Sequence, residues 1–187
     1  MNIKTIAFIA MTLMALTSCN KKAVKDNHPQ KEEAKVEVFR PEVLLGDSIK
    51  TLVDNKIVFY STQDNSGYTL TNRTLAGLEF EEIGINPFDR QCKAVRNISY
   101  ANLVYNTEIN NKFEQGVMGL IKLYGTPDKE TKTKSADGVA EYKRAMWKYE
   151  NCFISISSIK PLNELKGLVV IIYTIPEDYN LFQTYFN

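Results

Sequence analysis

The residues of this chain that could take part in catalysis are few and lie far apart in the sequence. The single histidine, His28, precedes Pro29 in a polar stretch. A Ser-His or Cys-His pair would therefore need that stretch to reach the folded part. The chain has no cysteine and histidine cluster with zinc-ligand spacing, no glycine-rich phosphate loop and no nucleophile-elbow motif. We expect no catalytic residue, no metal and no cofactor.

The main candidate for a catalytic or ligand-binding site is an acidic run at Glu79, Glu81 and Glu82. Two neighbouring carboxylates are the catalytic groups of most glycoside hydrolases. The same run alternates with Leu78 and Phe80, which is the pattern of a strand with one solvated face. We favour the strand face, and we keep a hydrolase or a small-ligand carrier that uses residues 79–82 as the alternative function.

Cys19 stands at the end of an apolar run and is followed by two lysines. The run covers residues 6–16, only Lys4 precedes it as a charge, and Leu16, Thr17 and Ser18 lead into the cysteine. An apolar run of this length is too short for a membrane-spanning helix and is typical of an export signal. The stretch resembles the lipobox of bacterial lipoproteins at all four positions. The resemblance implies that residues 1–18 are a signal peptide and that Cys19 carries lipid, including palmitate.

Residues 19–35 are expected to form a lipidated, flexible tether. The stretch is rich in lysine and acidic residues and has almost no apolar content, so it cannot bury enough surface to fold. A flexible chain of this length reaches roughly 25 Å. By resemblance to bacterial sorting rules, Asn20 does not favour inner-membrane retention, and Lys21-Lys22 differs from the acidic surface-export signals of Bacteroidota. These features predict an outer-membrane lipoprotein that faces the periplasm.

The charge balance argues against a nucleic-acid partner. Without Lys4, the mature chain carries 22 basic and 22 acidic residues. A nucleic-acid binder needs a basic stripe that neutralises phosphates, and no such cluster follows residue 35. We therefore expect the membrane, through Cys19, and an envelope protein as partners.

Two cysteines remain after lipidation, Cys92 and Cys152. An even number of cysteines in an oxidising compartment is compatible with a disulfide bond. Buried free thiols are the other interpretation, because the sequence does not show whether the two residues meet.

The hydrophobic pattern predicts an α+β fold of two tandem α-β-β-β units, at residues 36–104 and 105–187. Residues 49–63 align without a gap with residues 113–127, and both stretches have apolar residues at helical spacing. We expect helices at about 47–58 and 108–124, the second ended by Gly125 and Pro127. The expected strands are 69–80, 83–85, 92–100, 142–149, 152–159 and 167–175, in antiparallel sheets with 169–175 central.

This arrangement resembles the β-lactamase-inhibitor-protein fold, and each unit resembles the BamE/SmpA outer-membrane lipoproteins. The resemblance covers most of residues 43–176 in arrangement only, because "LLGDSIKTL" keeps Gly46 without the methionine that follows it in those families. It implies a non-catalytic protein-binding or scaffold module. In overall style the chain is similar to short lipoproteins of Bacteroidota.

Aromatic residues are the candidate partner contacts. Trp147 and Tyr149 alternate with Met146 and Lys148, so each pair lies on its own face of a strand. The C-terminal stretch adds four more rings: Tyr179, Phe182, Tyr185 and Phe186. Such rings dominate interface hot spots, but Trp147 is also suited to a core position between sheet and helix. In that second interpretation the C-terminal stretch covers an open sheet edge.

Ser48 is a candidate modification site. Asp47-Ser48-Ile49 resembles the D-[ST]-aliphatic acceptor of Bacteroidota periplasmic O-glycosylation. Asp47 or Ser48 is equally suited to capping the helix that follows.

Overall fold

The structure is a computed structural model that describes residues 38–61, 67–86 and 94–179. The helices are α1 Ile49–Asp54 and α2 Ile109–Tyr124, with 3-10 helices at Pro41–Leu44 and Pro176–Asp178. The strands are β1 Val58–Ser61, β2 Gly67–Leu70, β3 Thr74–Leu75, β4 Leu78–Glu79, β5 Glu82–Asn86, β6 Asn97–Tyr105, β7 Lys129–Lys134, β8 Ala140–Tyr149, β9 Cys152–Pro161 and β10 Lys166–Thr174.

Eight of these strands form one sheet in the order β1-β2-β5-β6-β10-β9-β8-β7, and β3 and β4 form a separate hairpin. Every strand pair among the described residues is antiparallel. The expected α+β class with antiparallel strands is confirmed. Strand β10 lies between β6 and β9 in the middle of the sheet, so the prediction of a central strand at 169–175 is also confirmed.

Helix α2 forms where the sequence predicts it, because its apolar residues recur on one side. Ile109, Phe113, Val117 and Leu120 are buried, at the i, i+4, i+8 and i+11 positions of an amphipathic helix. Gly125 follows the last helical residue with φ +81° and donates its N–H to the carbonyl of Ile121. A glycine adopts this conformation without the strain that a Cβ would cause.

Two glycines let α2 approach its neighbours closely. A Cβ on Gly116 would lie 2.4 Å from Cδ1 of Ile156 in β9, and one on Gly119 would lie 2.0 Å from the carbonyl oxygen of Ala76. Real Cβ atoms do not come this close to other atoms, so a larger residue would force the Ile156 side chain to move at position 116 and would push α2 away from the Ala76 backbone at position 119. The helix is thus held between the sheet and the β3–β4 hairpin.

The first helix is shorter than predicted. It ends at Asp54, Lys56 adopts φ +60°, and β1 starts at Val58. Val58 pairs with Leu70 and is 1% exposed. The gapless alignment is therefore wrong beyond residue 54. Residues 58–60 could continue a helix by spacing, but they are a β-branched and two aromatic residues that pair with β2.

The predicted strand at 69–80 is also interrupted. Ala76 and Gly77 both have positive φ, +52° and +77°, and form the turn of the β3–β4 hairpin. Positive φ at both central residues is typical of a type I′ turn. Strand β6 runs to Tyr105 instead of ending at 100, and β7 lies where no strand was predicted.

The two faces of the sheet differ in what packs on them. The covered face carries α2 and is lined by buried residues of the hydrophobic core: Ile98, Tyr100, Ala145, Trp147, Ile154, Ile156, Val169, Ile171 and Tyr173. Because side chains alternate along a strand, the residues between these point to the opposite, open face: Ser99, Ala101, Leu103, Tyr142, Arg144, Met146, Phe153, Ser155, Ser157, Ile159, Leu168, Val170 and Ile172. Any surface that the sheet offers to a partner lies on the open face or at the strand ends.

Candidate functional site

A row of apolar side chains crosses the open face near one end of the sheet. The strand register places Leu103 opposite Leu168, Leu168 opposite Ile159, and Ile159 opposite Tyr142. Leu103 is 59% exposed. Directly opposed residues of neighbouring strands have their Cβ atoms about 5 Å apart, so these side chains form one continuous surface.

The turn between β9 and β10, at the same end of the sheet, carries two further apolar side chains. Leu162 and Leu165 lie in the turn and are exposed, Leu165 by 82%. Asn106 fixes the turn: its Nδ2 donates to the carbonyls of Pro161 and Glu164, both at 2.6 Å, and its backbone N–H donates to the carbonyl of Leu165 at 2.9 Å. The backbone of the turn that carries the exposed leucines is therefore held in a defined position.

We call this end of the sheet the apolar end, and its apolar side chains are those of Leu103, Tyr105, Ile159, Leu162, Leu165 and Leu168. Tyr105 is exposed, and the Lys166 ammonium lies 4.9 Å from its ring centroid. Exposed apolar side chains grouped in one region are typical of protein-contact surfaces. Sequence reasoning missed this site, although the leucines of "PLNELK" at 161–166 stand where a polar turn is usual.

Trp147 belongs to the core and not to a partner surface. It is 2% exposed, and its Nε1–H donates to the carbonyl of Gly125 at 2.8 Å. Tyr149 shares its face, as predicted, and is half-buried against Tyr124 with a ring-centroid distance of 5.0 Å. The partner-contact interpretation of Trp147 is therefore corrected to the core interpretation, because α2 and the chain after it cover this face.

Tyr179 lies on the open face, apart from Trp147 and Tyr149. Its ring stacks on Phe153 at 3.8 Å, and its hydroxyl donates to Sδ of Met146 at 3.5 Å. The other C-terminal candidates, Phe182, Tyr185 and Phe186, lie outside the described residues.

The acidic run borders a cleft of about 530 Å³. Glu79, Glu81 and Glu108 line it together with the cations Arg73 and Lys112. Asn102 fixes this region by donating its Nδ2–H to the carbonyl of Glu79 and accepting the N–H of Glu81. Glu82 is not part of the cleft lining and pairs with Ala101 within the sheet.

A polar cluster at the start of the described chain has no counterpart in the sequence predictions. The Glu42 side chain, 6% exposed, accepts hydrogen bonds from Nε of Arg40 and from the hydroxyl of Tyr124, the latter at 2.6 Å. The Arg40 guanidinium also lies 5.3 Å from the centroid of the Tyr149 ring. These contacts tie the first described residues to α2 and β8.

Burial raises the pKa values of two tyrosines at this cluster, Tyr124 and Tyr173. Desolvation, and then the hydrogen bond to Glu42, raises the pKa of Tyr124 well above its ordinary value, and burial does the same for the pKa of Tyr173. The hydroxyls of these two tyrosines lie 3.4 Å apart. Both phenols are therefore neutral hydrogen-bonding groups at physiological pH.

Of the remaining predicted sites, Cys152 and Ser48 lie within the described residues and Cys19 and Cys92 do not. Cys152 is a buried thiol on the covered face, and its pairing with Cys92 stays a prediction. Ser48 is exposed at the N-cap position of α1, where its side chain makes no capping hydrogen bond, so its glycosylation also stays a prediction.

Within residues 38–61, 67–86 and 94–179, no group of three or more His, Cys, Asp or Glu side chains is arranged to hold a metal ion. In the same part of the chain, no helix has the length and hydrophobicity needed to cross a membrane. No protein-family model, curated protein or solved structure matches this chain.

Proposed function

We propose that this chain is an outer-membrane lipoprotein that faces the periplasm and binds another envelope protein without catalysing a reaction. The observation that carries the proposal is the apolar end. The backbone that carries its exposed side chains is fixed by strand register and by the hydrogen bonds of Asn106. A pre-ordered apolar surface loses little entropy on binding, so it suits an apolar patch on a folded protein partner.

The lipid anchor is the second part of the proposal. The lipobox that ends at Cys19 and the polar stretch 20–35 support it. Several acyl chains on one residue give long-lived attachment, whereas a single chain binds only marginally. The tether then holds the folded part near the membrane, so that the apolar end meets partners of the envelope.

We further propose that the folded part consists of two tandem helix-plus-meander units, as in the inhibitor-like proteins named above. Each half has a helix followed by strands, and the last strands of the halves, β6 and β10, pair at the sheet centre. The strand sequences "RNISY" at 96–100 and "VVIIY" at 169–173 correspond between the two halves, and their last residues, Tyr100 and Tyr173, lie with ring centroids 6.5 Å apart. This arrangement supports a sheet shared between two related units.

A photoreactive residue at position 165, in cells that express the full chain, tests the partner hypothesis. We expect a specific crosslinked protein, and we expect Leu103→Ser to reduce partner affinity roughly thirty-fold, since hot-spot residues contribute about 2 kcal/mol or more. The matched control is Met118→Ser, which removes a side chain of similar exposure, 62%, from α2. Equal crosslinking by both variants would contradict the apolar end as the binding surface.

The anchor is tested separately. Cys19→Ala is expected to accumulate as unprocessed precursor and to lose labelling by a palmitate analogue. Normal labelling of this variant would exclude Cys19 as the lipid carrier.

A small-ligand carrier or hydrolase stays the second candidate, and the cleft lined by Glu79, Glu81 and Glu108 favours it. Mixed carboxylates and cations suit a polar ligand. Turnover in a hydrolase screen that Glu81→Gln abolishes would support this candidate against the binding module.

A further inference from the structure

The two edges of the sheet differ in their chemistry. Among the described residues, β1 and β7 are the outermost strands, and an outermost strand offers backbone groups to another chain, whereas the faces of the sheet offer side chains. Three of the six residues of β7 are lysine, which commonly protects an edge against strand addition. β1 reads "VFYS" and has no charged residue. Of the two edges, β1 is therefore the one suited to pairing with another strand.

The backbone groups at the outer side of β1 belong to Val58 and Tyr60. The carbonyl of Ile57 accepts the N–H of Thr71, in the chain that leads out of β2, at 3.4 Å. Residues of an antiparallel strand alternate between those that bond to the neighbouring strand and those that point away from it. Phe59, two residues after Ile57, therefore also bonds to β2, and the N–H and C=O groups of Val58 and Tyr60 point outward.

Aromatic side chains are exposed beside these outward groups. Phe59 is 44% exposed and Tyr60 is 55% exposed. The Tyr60 ring is partly supported by Tyr68 of β2, with an edge-on contact at a centroid distance of 5.5 Å. Aromatic side chains form favourable cross-strand pairs with aromatic and β-branched residues of an adjoining strand. The edge thus combines outward backbone groups with side chains that favour a further strand.

We propose that β1 pairs antiparallel with β1 of a second copy of this chain, with a two-fold axis at Phe59. Val58 of each copy then exchanges both of its backbone hydrogen bonds with Tyr60 of the other copy. Phe59 faces the same residue of the second copy in a non-hydrogen-bonded pair, the type in which opposed side chains lie closest. The sheets of the two copies continue into each other across the axis.

The self-complementarity of β1 identifies a second copy as the occupant. Val58 and Tyr60 lie symmetrically about Phe59, so a single two-fold axis gives partners to the outward groups of both residues. Like charges that face each other across a strand pair are destabilising, and self-pairing of β1 brings none together because the strand is uncharged.

The expected dimer is weak and leaves the apolar end unchanged. β1 has four residues, so the contact is much smaller than the roughly 800 Å² per partner of a standard stable interface. We therefore expect a reversible dimer that forms at high concentration. The apolar end is carried by β6, β9, β10 and the turn after β9, and it stays a separate surface in each copy.

Disulfide trapping in the purified full chain tests the proposed register. Phe59→Cys should give a linked dimer on oxidation, because opposed residues of a non-hydrogen-bonded pair have Cα atoms about 4.5 Å apart, which a disulfide can bridge. Tyr60→Cys is the matched control: Tyr60 is the more exposed residue, but the two positions 60 would lie about 8 Å apart, too far for a disulfide.

The linked yield should be several-fold higher for Phe59→Cys than for Tyr60→Cys. Both variants also carry Cys92→Ser, and Cys152 is a buried thiol, so other links do not distinguish them. Equal yields, or a higher yield at position 60, would indicate random collision of exposed thiols and would overturn the proposal.

Proline at position 60 tests the backbone pairing itself. The N–H of Tyr60 points away from β2, so Tyr60→Pro removes an outward donor and leaves the β1–β2 ladder intact. Combined with Phe59→Cys, it should lower the linked yield roughly tenfold, because each copy loses a hydrogen bond to the other. Tyr60→Thr keeps the N–H and should retain most of the yield. If proline does not lower the yield, β1 does not pair through its backbone.

A photoreactive residue at position 59, in cells that express the full chain, identifies the occupant of the edge. The expected adduct contains two copies of this chain, joined between their β1 strands. An adduct with a different protein, or the absence of an adduct between two copies, would overturn the proposal.

Discussion

The two faces of the sheet follow different rules, and β9 shows the difference within one strand. Ile154 and Ile156 point to the covered face and are essentially inaccessible to water. Ser155 and Ser157, which alternate with them, point to the open face. A slip of one residue in register would exchange the two sets and put hydroxyl groups in the core. The isoleucine-serine alternation therefore determines how β9 is oriented.

The covered face is specified by close packing, whereas the open face is specified by surface chemistry. On the covered face, α2 approaches Ile156 and Ala76 through two glycines, so side-chain volumes have little freedom. On the open face, the apolar end lies near the small side chains of Ser155 and Ser157. Substitutions on the covered face should affect stability, and substitutions at the apolar end should affect binding.

The largest effect is expected from Ile156→Ala compared with Ile159→Ala on the same strand. Ile156 is 0% exposed and Ile159 is only half-buried. Truncating a fully buried isoleucine costs about 2–5 kcal/mol because it removes apolar burial and leaves a cavity. The Ile159 variant should lose less than half as much. Free energies of unfolding from urea denaturation measure both, and equal losses would refute the distinction between the faces.

A smaller loss is expected for Gly119→Ala in α2. Alanine favours a helix over glycine by about 1 kcal/mol, so propensity alone predicts a more stable protein. The new Cβ would lie 2.0 Å from the Ala76 carbonyl oxygen, and overpacking of this kind costs about 1–3 kcal/mol. We therefore expect a net decrease in the free energy of unfolding.

The control for this substitution is Asn111→Ala, at an exposed position of the same helix. It should change stability by no more than about 0.5 kcal/mol. If Gly119→Ala is as stable as this control, the close approach of α2 to the β3–β4 hairpin does not limit which residue position 119 accepts.

The helix and most strands of the second half could be predicted because the apolar residues of each recur at a single spacing, either helical or alternating. Helix α2 and strands β8 to β10 follow the expected ranges closely. Strand β7, "KETKTK", has no apolar residue and is an edge strand recognisable only by its pairing with β8. Its lysines are typical of edges that avoid pairing with other chains.

The first half was harder to predict for a physical reason. Residues 58–60 have helical spacing as a continuation of α1, but tertiary pairing with β2 makes them a strand. Alternation correctly grouped Trp147 with Tyr149 and Met146 with Lys148. It could not tell which of the two faces α2 would cover, since that depends on contacts between distant segments. The apolar end combines β6, β9 and β10 and is likewise a product of the sheet register.

The smallest effect is expected from the titration of the covered face, where water is excluded from Cys152. Burial first, and then the nearby Glu42 carboxylate, raises the pKa of the Cys152 thiol from 9.0 to about 12. Below pH 9 the thiol is protonated in both the folded and the unfolded protein, and stability is unaffected. Between pH 9 and 12 the unfolded chain loses this proton first, so stability falls by up to about 1.4 kcal/mol per pH unit.

Cys152→Ala should remove this contribution, so that the free energy of unfolding falls less steeply between pH 9 and 10 than in the unmodified protein. The comparison requires a reducing buffer, which opens any bridge between Cys152 and Cys92. Above pH 10 both proteins should also lose stability through Tyr124 and Tyr173, whose raised pKa values belong to both, while the unmodified protein continues to lose more than the variant until about pH 12. Identical slopes from pH 9 to 10 would mean that water reaches the Cys152 thiol, and the covered face would then be less well sealed than its packing indicates.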